Sequence, residues 1–215
     1  MLRYEREAWA EGHARVAGVD EAGRGPLAGP VVAAAVWFER EWLESEAGQR
    51  KLAGLNDSKQ LTAAQRERWL GVLEELAGEG TARIGLGEAS AGEIDAMNIL
   101  RATHLAMRRA LEGLGGAVDW ALVDGLPVKG LPVGHRAIVK GDGNSWSIAA
   151  ASVAAKVTRD RWMTAAEERY PGYGFAKHKG YGTAEHLAAL ARLGPCEIHR
   201  RSFAPVGQMS LGLWG

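Results

Sequence analysis

The chain has 215 residues, with 26 basic and 26 acidic side chains, so its formal net charge of zero gives no indication of a nucleic-acid partner. Its length suits one main core and is too small for two large domains. No apolar stretch approaches the roughly 20 residues of a membrane span. Residues 1–11 are too polar for a secretory signal, which predicts a cytoplasmic protein without a membrane partner. The single cysteine, Cys196, excludes an internal disulfide.

The first predicted element is a short buried strand at residues 16–19, which is followed directly by Asp20 and Glu21. Two buried negative charges are costly unless a cation or hydrogen-bond donors compensate them. Because the available ligands are oxygens, a hard cation such as Mg²⁺ or Mn²⁺ fits better than zinc. Side chains alternate along a strand, so we expect the chain to turn at Glu21, and the glycines of the following Gly-Arg-Gly segment allow that turn.

The remaining predicted elements alternate between strands and helices. Thr62 and Gln65 have the spacing of a capping box at a helix start. In chain order we predict strands at 31–38, 81–87, 120–123 and 135–140, and helices at 63–76, 90–114, 144–169 and 183–192, the second helix being interrupted near residue 98. This alternation predicts an α/β fold in which helices cover a sheet. The glycine-, lysine- and aromatic-rich segment 170–182 is predicted to be a loop between helices.

Carboxylates also follow two later strands, with Asp124 before Gly125 and Asp142 between two glycines. An aspartate next to a glycine is, taken alone, more often a turn former than a ligand. Ligand sites in α/β sheets form outside strand ends, so three acidic strand ends favour convergence on one cleft. Two divalent ions shared by such acids would activate a water molecule and stabilise the leaving oxygen in phosphodiester hydrolysis.

Seven motifs occur in an order that resembles the bacterial ribonuclease HII family, over approximately residues 16–206. The motifs are DEAGRGPLAGPV from Asp20, DSKQL from Asp57, VDG at 123–125, KGD at 140–142, AAASVAAKVTRD from Ala149, HKGYGT from His178 and RRSF from Arg200. The resemblance implies an RNase H-like α/β fold, with a mixed five-stranded sheet flanked by helices and a C-terminal helical extension. It implies an N-terminal arm (1–14), a catalytic domain (15–170), a substrate-binding extension (171–207) and a tail (208–215).

The resemblance also implies an activity and the residues that perform it. The expected activity is metal-dependent endonucleolytic cleavage of the RNA strand of RNA/DNA hybrids, and of single ribonucleotides in duplex DNA during ribonucleotide excision repair, with Mg²⁺ or Mn²⁺ as cofactor. The expected products carry a 3′-hydroxyl and a 5′-phosphate. By position, the catalytic metal-binding acids are Asp20, Glu21, Asp124 and Asp142, the motif that senses the ribose 2′-hydroxyl is Gly23, Arg24 and Gly25, and the tyrosine that assists it is Tyr181.

Further substrate contacts are predicted on basic and polar side chains in these motifs. Phosphate contacts are predicted for Ser58, Lys59, Lys156, Arg159 and His178. An ordinary solvated surface position remains an equal alternative for four of them, namely Ser58, Lys59, Lys156 and Arg159. A purely packing role is the alternative for Tyr181.

Two other functional readings stay open at this point. Arg24 favours ribonuclease HII over the related ribonuclease HIII, which usually carries lysine between the two glycines, although a HIII-type or another RNase H-like nuclease remains an alternative. A hybrid-binding module without activity is a further alternative, and the presence of all four acids argues against it.

The C-terminal residues resemble a short docking peptide. Residues Gln208 to Leu213 are similar to the peptides by which bacterial replication proteins bind the sliding clamp, so a clamp is a candidate partner. A tail that folds onto its own domain, or that has no fixed structure, is the alternative. The protein is expected to be a monomer.

Overall fold

The computed structural model describes residues 1–210 and contains a mixed five-stranded sheet flanked by helices, as predicted. The strands are β1 (Val16–Ala22), β2 (Val31–Phe38), β3 (Ala82–Ala89), β4 (Trp120–Asp124) and β5 (Gly134–Ile138), in the spatial order β3-β2-β1-β4-β5. The pairs β1–β2 and β2–β3 are antiparallel, whereas β1–β4 and β4–β5 are parallel. The carboxyl ends of β1, β4 and β5 therefore lie at one edge of the sheet.

Ten α-helices occur within residues 1–210. They are α1 (Arg3–Ala10), α2 (Arg40–Glu44), α3 (Glu46–Lys51), α4 (Ala63–Gly78), α5 (Ala91–Met97), α6 (Ile99–Glu112), α7 (Trp146–Arg169), α8 (Phe175–His178), α9 (Ala184–Leu193) and α10 (Val206–Ser210). Short 3₁₀ turns cover Ser58–Gln60 and Gly141–Gly143. None of the helices in this part of the chain is both long and apolar enough to cross a membrane.

Several helix starts follow from local sequence chemistry. Thr62 and Gln65 form the predicted capping box at the start of α4, and Ser90 with Glu93 forms another at the start of α5. Asn98, at φ 78°, ends α5 and accepts a hydrogen bond at the start of α6, which explains the interruption predicted near this residue.

The structure differs from the sequence-based prediction in several places. The predicted turn at Glu21 is wrong, because β1 continues to Ala22 and Glu21 pairs with Ala33 of β2. Helices α1, α2, α3 and α10 were not predicted. Part of the predicted loop at 170–182 forms the four-residue helix α8. The proposed division of the chain at residues 14, 170 and 207 stays a prediction.

A long helix packs on each face of the sheet, and on one face α4 lies beside it. Helix α7 packs on the face that carries Leu122, and α6 packs on the face that carries Val19 and Val123. A Cβ atom on Gly18 would clash with the Ser147 backbone at the start of α7. The absence of a side chain at Gly18 therefore lets α7 begin directly against β1, next to the edge where the acids lie.

The N-terminal residues and the C-terminal region are also tied to this core. Glu5 of α1 is fully buried, and its Oε1 accepts hydrogen bonds from the Ser145 and Ser147 hydroxyls at the start of α7. At the other end of α7, Met163 packs in one cluster with Phe175 of α8 and with Ala28 of the β1–β2 loop. The β1–β2 loop is therefore held between the sheet and the C-terminal region.

Candidate metal centre and nucleic-acid surface

Three aspartates converge at the edge formed by the carboxyl ends of the parallel strands. Asp20 lies in β1, Asp124 ends β4, and Asp142 lies in the 3₁₀ turn that follows β5. One carboxylate oxygen from each lies within 4.8 Å of the other two, and Asp20 and Asp142 are each only 5% exposed. Three carboxylates at this spacing form an oxygen-only donor set of the kind that hard divalent cations prefer.

Backbone amides orient two of these carboxylates. The Gly141 amide donates to Asp124 Oδ1 at 2.7 Å, which fixes the turn carrying Asp142 against the end of β4. The Glu21 amide donates to Asp20 Oδ1 at 2.7 Å. Both bonds use only one oxygen of the carboxylate, so each aspartate retains acceptor capacity for a further ligand.

The carboxylates of this cluster repel one another. Burial raises the pKa of Asp20 well above its usual value, and the charges of Glu21 and Asp124 raise it further. Burial and the charge of Asp124 likewise raise the pKa of Asp142. A divalent cation would relieve this repulsion and stabilise the ionised carboxylates, so the electrostatics of the cluster favour metal binding at neutral pH.

Glu21 follows Asp20 in β1, and its side chain makes an ion pair with Arg24. Its Oε1 accepts from Arg24 Nη1 at 3.2 Å, and its side chain is 14% exposed. Burial raises the pKa of Glu21, while the ion pair with Arg24 lowers it and the charge of Asp124 raises it. The structure thus brings three of the four predicted acids together, while Glu21, which follows Asp20 in β1, pairs with Arg24.

The DSKQL motif approaches the same edge from another direction. Lys59 is 81% exposed, and its Nζ lies 4.0 Å from Asp142 Oδ2. Burial opposes the charge of Lys59, but Asp57 and the clustered aspartates outweigh this effect and raise its pKa. Ser58, in contrast, is buried and accepts from the Ser152 hydroxyl at 2.8 Å, so it supports the interior of the site rather than its surface.

The Gly-Arg-Gly turn faces the ring of Tyr181. A Cβ on Gly25 would lie 3.9 Å from Tyr181 Cε1, which is ordinary contact distance, and Tyr181 is 45% exposed. Gly23 has φ +94°, and a side chain there would clash with the buried guanidinium of Arg159. The two glycines therefore have different reasons to be glycine, since Gly23 is required by the fold and Gly25 leaves open space beside an exposed aromatic ring.

Arg159 was predicted to contact phosphate, and the structure places it inside the protein instead. Its side chain is fully buried, and its three nitrogens donate to the carbonyls of Pro30, Lys179 and Ala28 at 3.0, 3.0 and 3.1 Å. Its guanidinium carbon also lies 5.9 Å from the centre of the Tyr181 ring. The spacing along α7 could not indicate burial, because this face of the helix is covered by the C-terminal region.

His178 and Lys156 also lie in contacts that sequence reasoning did not anticipate. His178 is 7% exposed, and its Nε2 and Nδ1 bond the Tyr173 carbonyl and the Gly180 amide. Both ring nitrogens are therefore engaged within the protein, and the predicted phosphate contact does not fit this arrangement. Lys156 Nζ donates to Asp160 at 2.7 Å and is partly exposed.

Arg200 is a site residue that the sequence did not reveal. It is fully buried, and its three nitrogens donate to the carbonyls of Gly29, Arg24 and Gly23 at 3.0, 2.9 and 2.6 Å. Burial and the nearby charge of Arg159 lower its pKa to about 9. No periodicity or spacing signals such a role, and the only sequence signal is its position in the RRSF motif.

Comparisons with known proteins agree with this geometry. The ribonuclease HII family model matches residues 17–206. Ribonuclease HII of Geobacillus thermodenitrificans is 53% identical over 207 residues (96% of this chain and 74% of the relative), and that of Rhodospirillum rubrum is 57% identical over 192 residues (89% and 85%). The crystal structure of ribonuclease H2 from Pyrococcus horikoshii is 26% identical, with a TM-score of 0.72 over 93% of this chain and 98% of that chain.

A ribonuclease HIII in complex with Mn²⁺ has a TM-score of 0.72 over 93% of this chain and 70% of that chain, and its 18% identity supports the fold alone. The family match covers both the acid cluster and the segments that carry Tyr181 and Arg200. The open choice between ribonuclease types is thereby decided. With its motifs, its sheet and its acidic edge all in agreement, this chain belongs to the ribonuclease HII family and is a ribonuclease.

Proposed function

We propose that this protein cleaves the RNA strand of RNA/DNA hybrids and also cuts at single ribonucleotides within duplex DNA, leaving 3′-hydroxyl and 5′-phosphate ends. The observation that carries the proposal is the acid cluster at one edge of the sheet with the Gly25–Tyr181 surface on a neighbouring loop. The acids would form the site of hydrolysis, and the surface formed by Gly25 and Tyr181 would distinguish ribose from deoxyribose.

The residues at the edge fit a divalent metal. Asp20, Asp124 and Asp142 have oxygens within 4.8 Å of one another, and Glu21 directly follows Asp20 in β1. We infer that these four acids hold Mg²⁺ or Mn²⁺, which when bound would activate water and stabilise charge at the phosphate in a two-metal hydrolysis.

The other residues of the site would orient the substrate. Lys59 is exposed beside Asp142, so its ammonium group is available to a phosphate oxygen of the strand being cut. Arg24 is half-exposed and bonds Glu21, so it links the acid cluster to the turn and is available to the phosphate backbone. These contacts are independent of base sequence, because they involve only the sugar-phosphate backbone.

The turn and the tyrosine would supply selectivity for ribose. The backbone of the Gly-Arg-Gly turn can approach a sugar because Gly25 has no side chain, and the 2′-hydroxyl is the group that distinguishes RNA from DNA. The exposed ring of Tyr181 lies next to Gly25 and offers an apolar face to the adjacent sugar. A sugar without a 2′-hydroxyl is expected to lose the hydrogen bond made by the turn.

Cleavage of matched duplexes tests this proposal. Four labelled duplexes of one sequence, containing an RNA tract, one ribonucleotide, one 2′-O-methyl ribonucleotide or DNA alone, are incubated with Mg²⁺, Mn²⁺ or EDTA. The first two should be cut in the presence of metal only, and the product ends should be joined by a ligase that requires a 5′-phosphate. Cleavage of the all-DNA or the 2′-O-methyl duplex would contradict the role assigned to the 2′-hydroxyl.

We further propose that the C-terminal tail docks on a sliding clamp and that the protein acts as a monomer in the cytoplasm. One similar structure is a complex of PCNA with ribonuclease HII from Archaeoglobus fulgidus, at 26% identity and a TM-score of 0.68 over 88% of this chain and 95% of that chain. In this chain Gln208 is exposed on α10, which ends at Ser210, and residues 211–213 of the docking segment lie outside the described residues. Loss of clamp binding on deletion of residues 208–215 would support the proposal, and absence of binding by the intact protein would end it.

A further inference from the structure

Three buried histidines surround the segment that carries Tyr181. His186 of α9 is fully buried, His199 is 1% exposed, and His178 of α8 stacks on His186 with ring centroids 4.4 Å apart. His186 Nδ1 lies 2.9 Å from the Tyr181 carbonyl, and His186 Nε2 lies 3.0 Å from His199 Nε2. None of these side chains belongs to the acid cluster or to the residues that would touch substrate.

His199 and His186 form a hydrogen-bonded series between the Cys196 amide and the Tyr181 carbonyl. The partners at its two ends determine which nitrogen of each neutral ring carries the proton. The Cys196 amide can only donate, and it donates to His199 Nδ1 at 2.9 Å. The Cys196 thiol lies 3.1 Å from the same nitrogen and can also donate to it, so neutral His199 carries its proton on Nε2. That proton is donated to His186 Nε2, which leaves the proton of His186 on Nδ1. His186 Nδ1 then donates to the Tyr181 carbonyl, which can only accept.

The same short segment also controls the Gly-Arg-Gly turn. Arg200, which follows His199, donates from its side chain to the carbonyls of Gly23 and Arg24. The backbone of the segment pairs with the β1–β2 loop, since the Arg200 amide donates to Leu27 and the Gly29 amide donates to Ile198. Residues 196–200 therefore hold the Gly-Arg-Gly turn directly, and His199 reaches the Tyr181 carbonyl through His186.

We propose that His186, His199 and Arg200 are positioning residues, which fix the main chain of Tyr181 and of the Gly-Arg-Gly turn in one mutual arrangement for reading a ribose. The hydrogen-bond geometry supports the positioning role itself. The effect of that role on catalysis rests on the proposed function. We call the hydrogen-bonded series from the Cys196 amide through His199 and His186 to the Tyr181 carbonyl the relay. The relay contacts only the backbone of Tyr181, so the exposed ring remains available to the substrate. Arg159 supports the same ring from beneath.

The relay can be tested without measuring catalysis. In protein labelled with ¹⁵N at histidine, long-range ¹H–¹⁵N spectra distinguish the two neutral tautomers of each ring. At a slightly alkaline pH we expect the proton on Nε2 in His199 and on Nδ1 in His186. The opposite tautomer in either ring, or a doubly protonated ring, would overturn the relay whatever the enzyme cleaves.

The effect on substrate recognition can be tested with two substitutions at one position. His186→Asn keeps a side-chain N–H at the Nδ1 position, so it preserves the bond to the Tyr181 carbonyl, whereas His186→Phe removes that donor and keeps a ring. We expect KM for a single-ribonucleotide duplex to rise about tenfold in His186→Phe, the equivalent of one lost hydrogen bond, with a smaller change in kcat. We expect His186→Asn to stay within about threefold of the wild type.

The outcomes separate the relay from general damage and from failure of the proposed function. His13→Phe, which changes a histidine that stacks on Trp120, is the matched control and should leave KM unchanged. Equal KM values for His186→Phe and the wild type, or equal losses for the Phe and Asn variants, would overturn the positioning role. If His186→Phe does not fold, the tautomers decide the hydrogen-bond chain, and a KM of His186→Asn well above threefold that of the wild type overturns the positioning role. Wild-type protein that cuts no ribonucleotide duplex would instead refute the proposed function.

Discussion

The acid cluster and the ribose-reading surface are positioned by different means. The aspartates sit on or directly after strands of one sheet, so backbone pairing between β1, β4 and β5 brings them together. The turn and the Tyr181 segment lie on separate loops, and buried side chains of Arg159, Arg200 and His186 connect them by hydrogen bonds to carbonyl oxygens. The first region depends on sheet topology and the second on a buried polar network.

This difference has consequences for how each region responds to substitution. Removal of a carboxylate at the sheet edge deletes a ligand but leaves the backbone pairing intact, and it also removes a source of repulsion. Removal of a buried guanidinium leaves several carbonyls without donors, so the loops lose both stability and mutual position. Substitutions in the two regions should therefore separate chemistry from architecture.

The largest expected effect is on chemistry, from Asp124→Asn. We expect cleavage of the single-ribonucleotide duplex to fall by about 10³-fold or more, because several kcal/mol of charge stabilisation depend on metal held by these acids. The free energy of unfolding without metal should not fall, since the substitution reduces repulsion with Asp20 and Asp142. The stabilisation produced by Mn²⁺ in thermal unfolding should be lost.

Asp119→Asn provides a matched control for this prediction. Asp119 accepts hydrogen bonds from the Ala14 and Arg15 amides and is not part of the acid cluster. Its variant should cut the duplex at close to the wild-type rate under conditions where it is folded. Normal cleavage by Asp124→Asn would remove the acid cluster from the mechanism.

The next effect is on architecture, from Arg200→Met. Three carbonyls of the β1–β2 loop lose their guanidinium donor in a fully buried position, so we expect the free energy of unfolding to fall by about 3 kcal/mol. Urea denaturation at neutral pH measures this change. Arg201→Met, at the exposed neighbouring position, should stay within about 0.5 kcal/mol of the wild type. Equal stabilities of the two variants would mean that the carbonyl contacts of Arg200 contribute little.

The two regions also differ in how far the sequence predicts them. Apolar runs that end in acids indicate both the strands and the edge where Asp20, Asp124 and Asp142 meet, because strand pairing follows from periodicity and topology. The turn at Glu21 was predicted wrongly, because the pairing with Ala33 is a tertiary interaction that overrides the local glycine signal. The role of the Gly-Arg-Gly and Tyr181 segments in sensing ribose was predicted from the motif resemblance and not from residue spacing.

The buried polar network could not be predicted, since a charged residue in a motif normally indicates exposure. Arg159 and His178 were therefore assigned to phosphate, although both lie inside the protein and bond backbone groups. Whether a side chain is buried depends on what packs over it. Here the cover is the C-terminal region, which is distant in sequence from the β1–β2 loop that it helps to bury.

The stability of the network should depend on pH through His199. Burial, together with the neighbouring His186, lowers the pKa of His199 to about 4, so the folded state binds fewer protons than the unfolded state between pH 4 and 6.5. The stability contributed by neutral His199 is complete above pH 6.5 and is lost as the pH falls towards 4. Acidification from about pH 7 to about pH 5 should therefore cost about 2 kcal/mol at this residue.

A comparison of wild type with His199→Phe isolates this contribution. The raised pKa values of Asp20 and Asp142 act in the opposite direction, because protonation of those acids favours the folded state as the pH falls. Urea unfolding of both proteins at the same two pH values, without metal, cancels the acids from the difference. The wild type should lose about 2 kcal/mol more than the variant, and an equal loss in both would show that His199 titrates normally.

The smallest expected effect distinguishes the two glycines of the turn. Gly25→Ala adds a Cβ that has ordinary contact distance to Tyr181, so the protein should unfold at the same urea concentration as the wild type. The added methyl group would occupy the space into which a sugar approaches, and we expect KM for the single-ribonucleotide duplex to rise about tenfold, the equivalent of about 1.4 kcal/mol.

Gly23→Ala should reverse this pattern, because φ +94° and the clash with Arg159 strain the fold itself. The free energy of unfolding of Gly23→Ala should fall. Its cleavage rate should fall only to the extent that the strain displaces the turn. A Gly25→Ala protein with unchanged KM would place the sugar elsewhere. The acid cluster and the buried network would then remain as described, but the sugar would have to be recognised by a surface other than Gly25 and Tyr181.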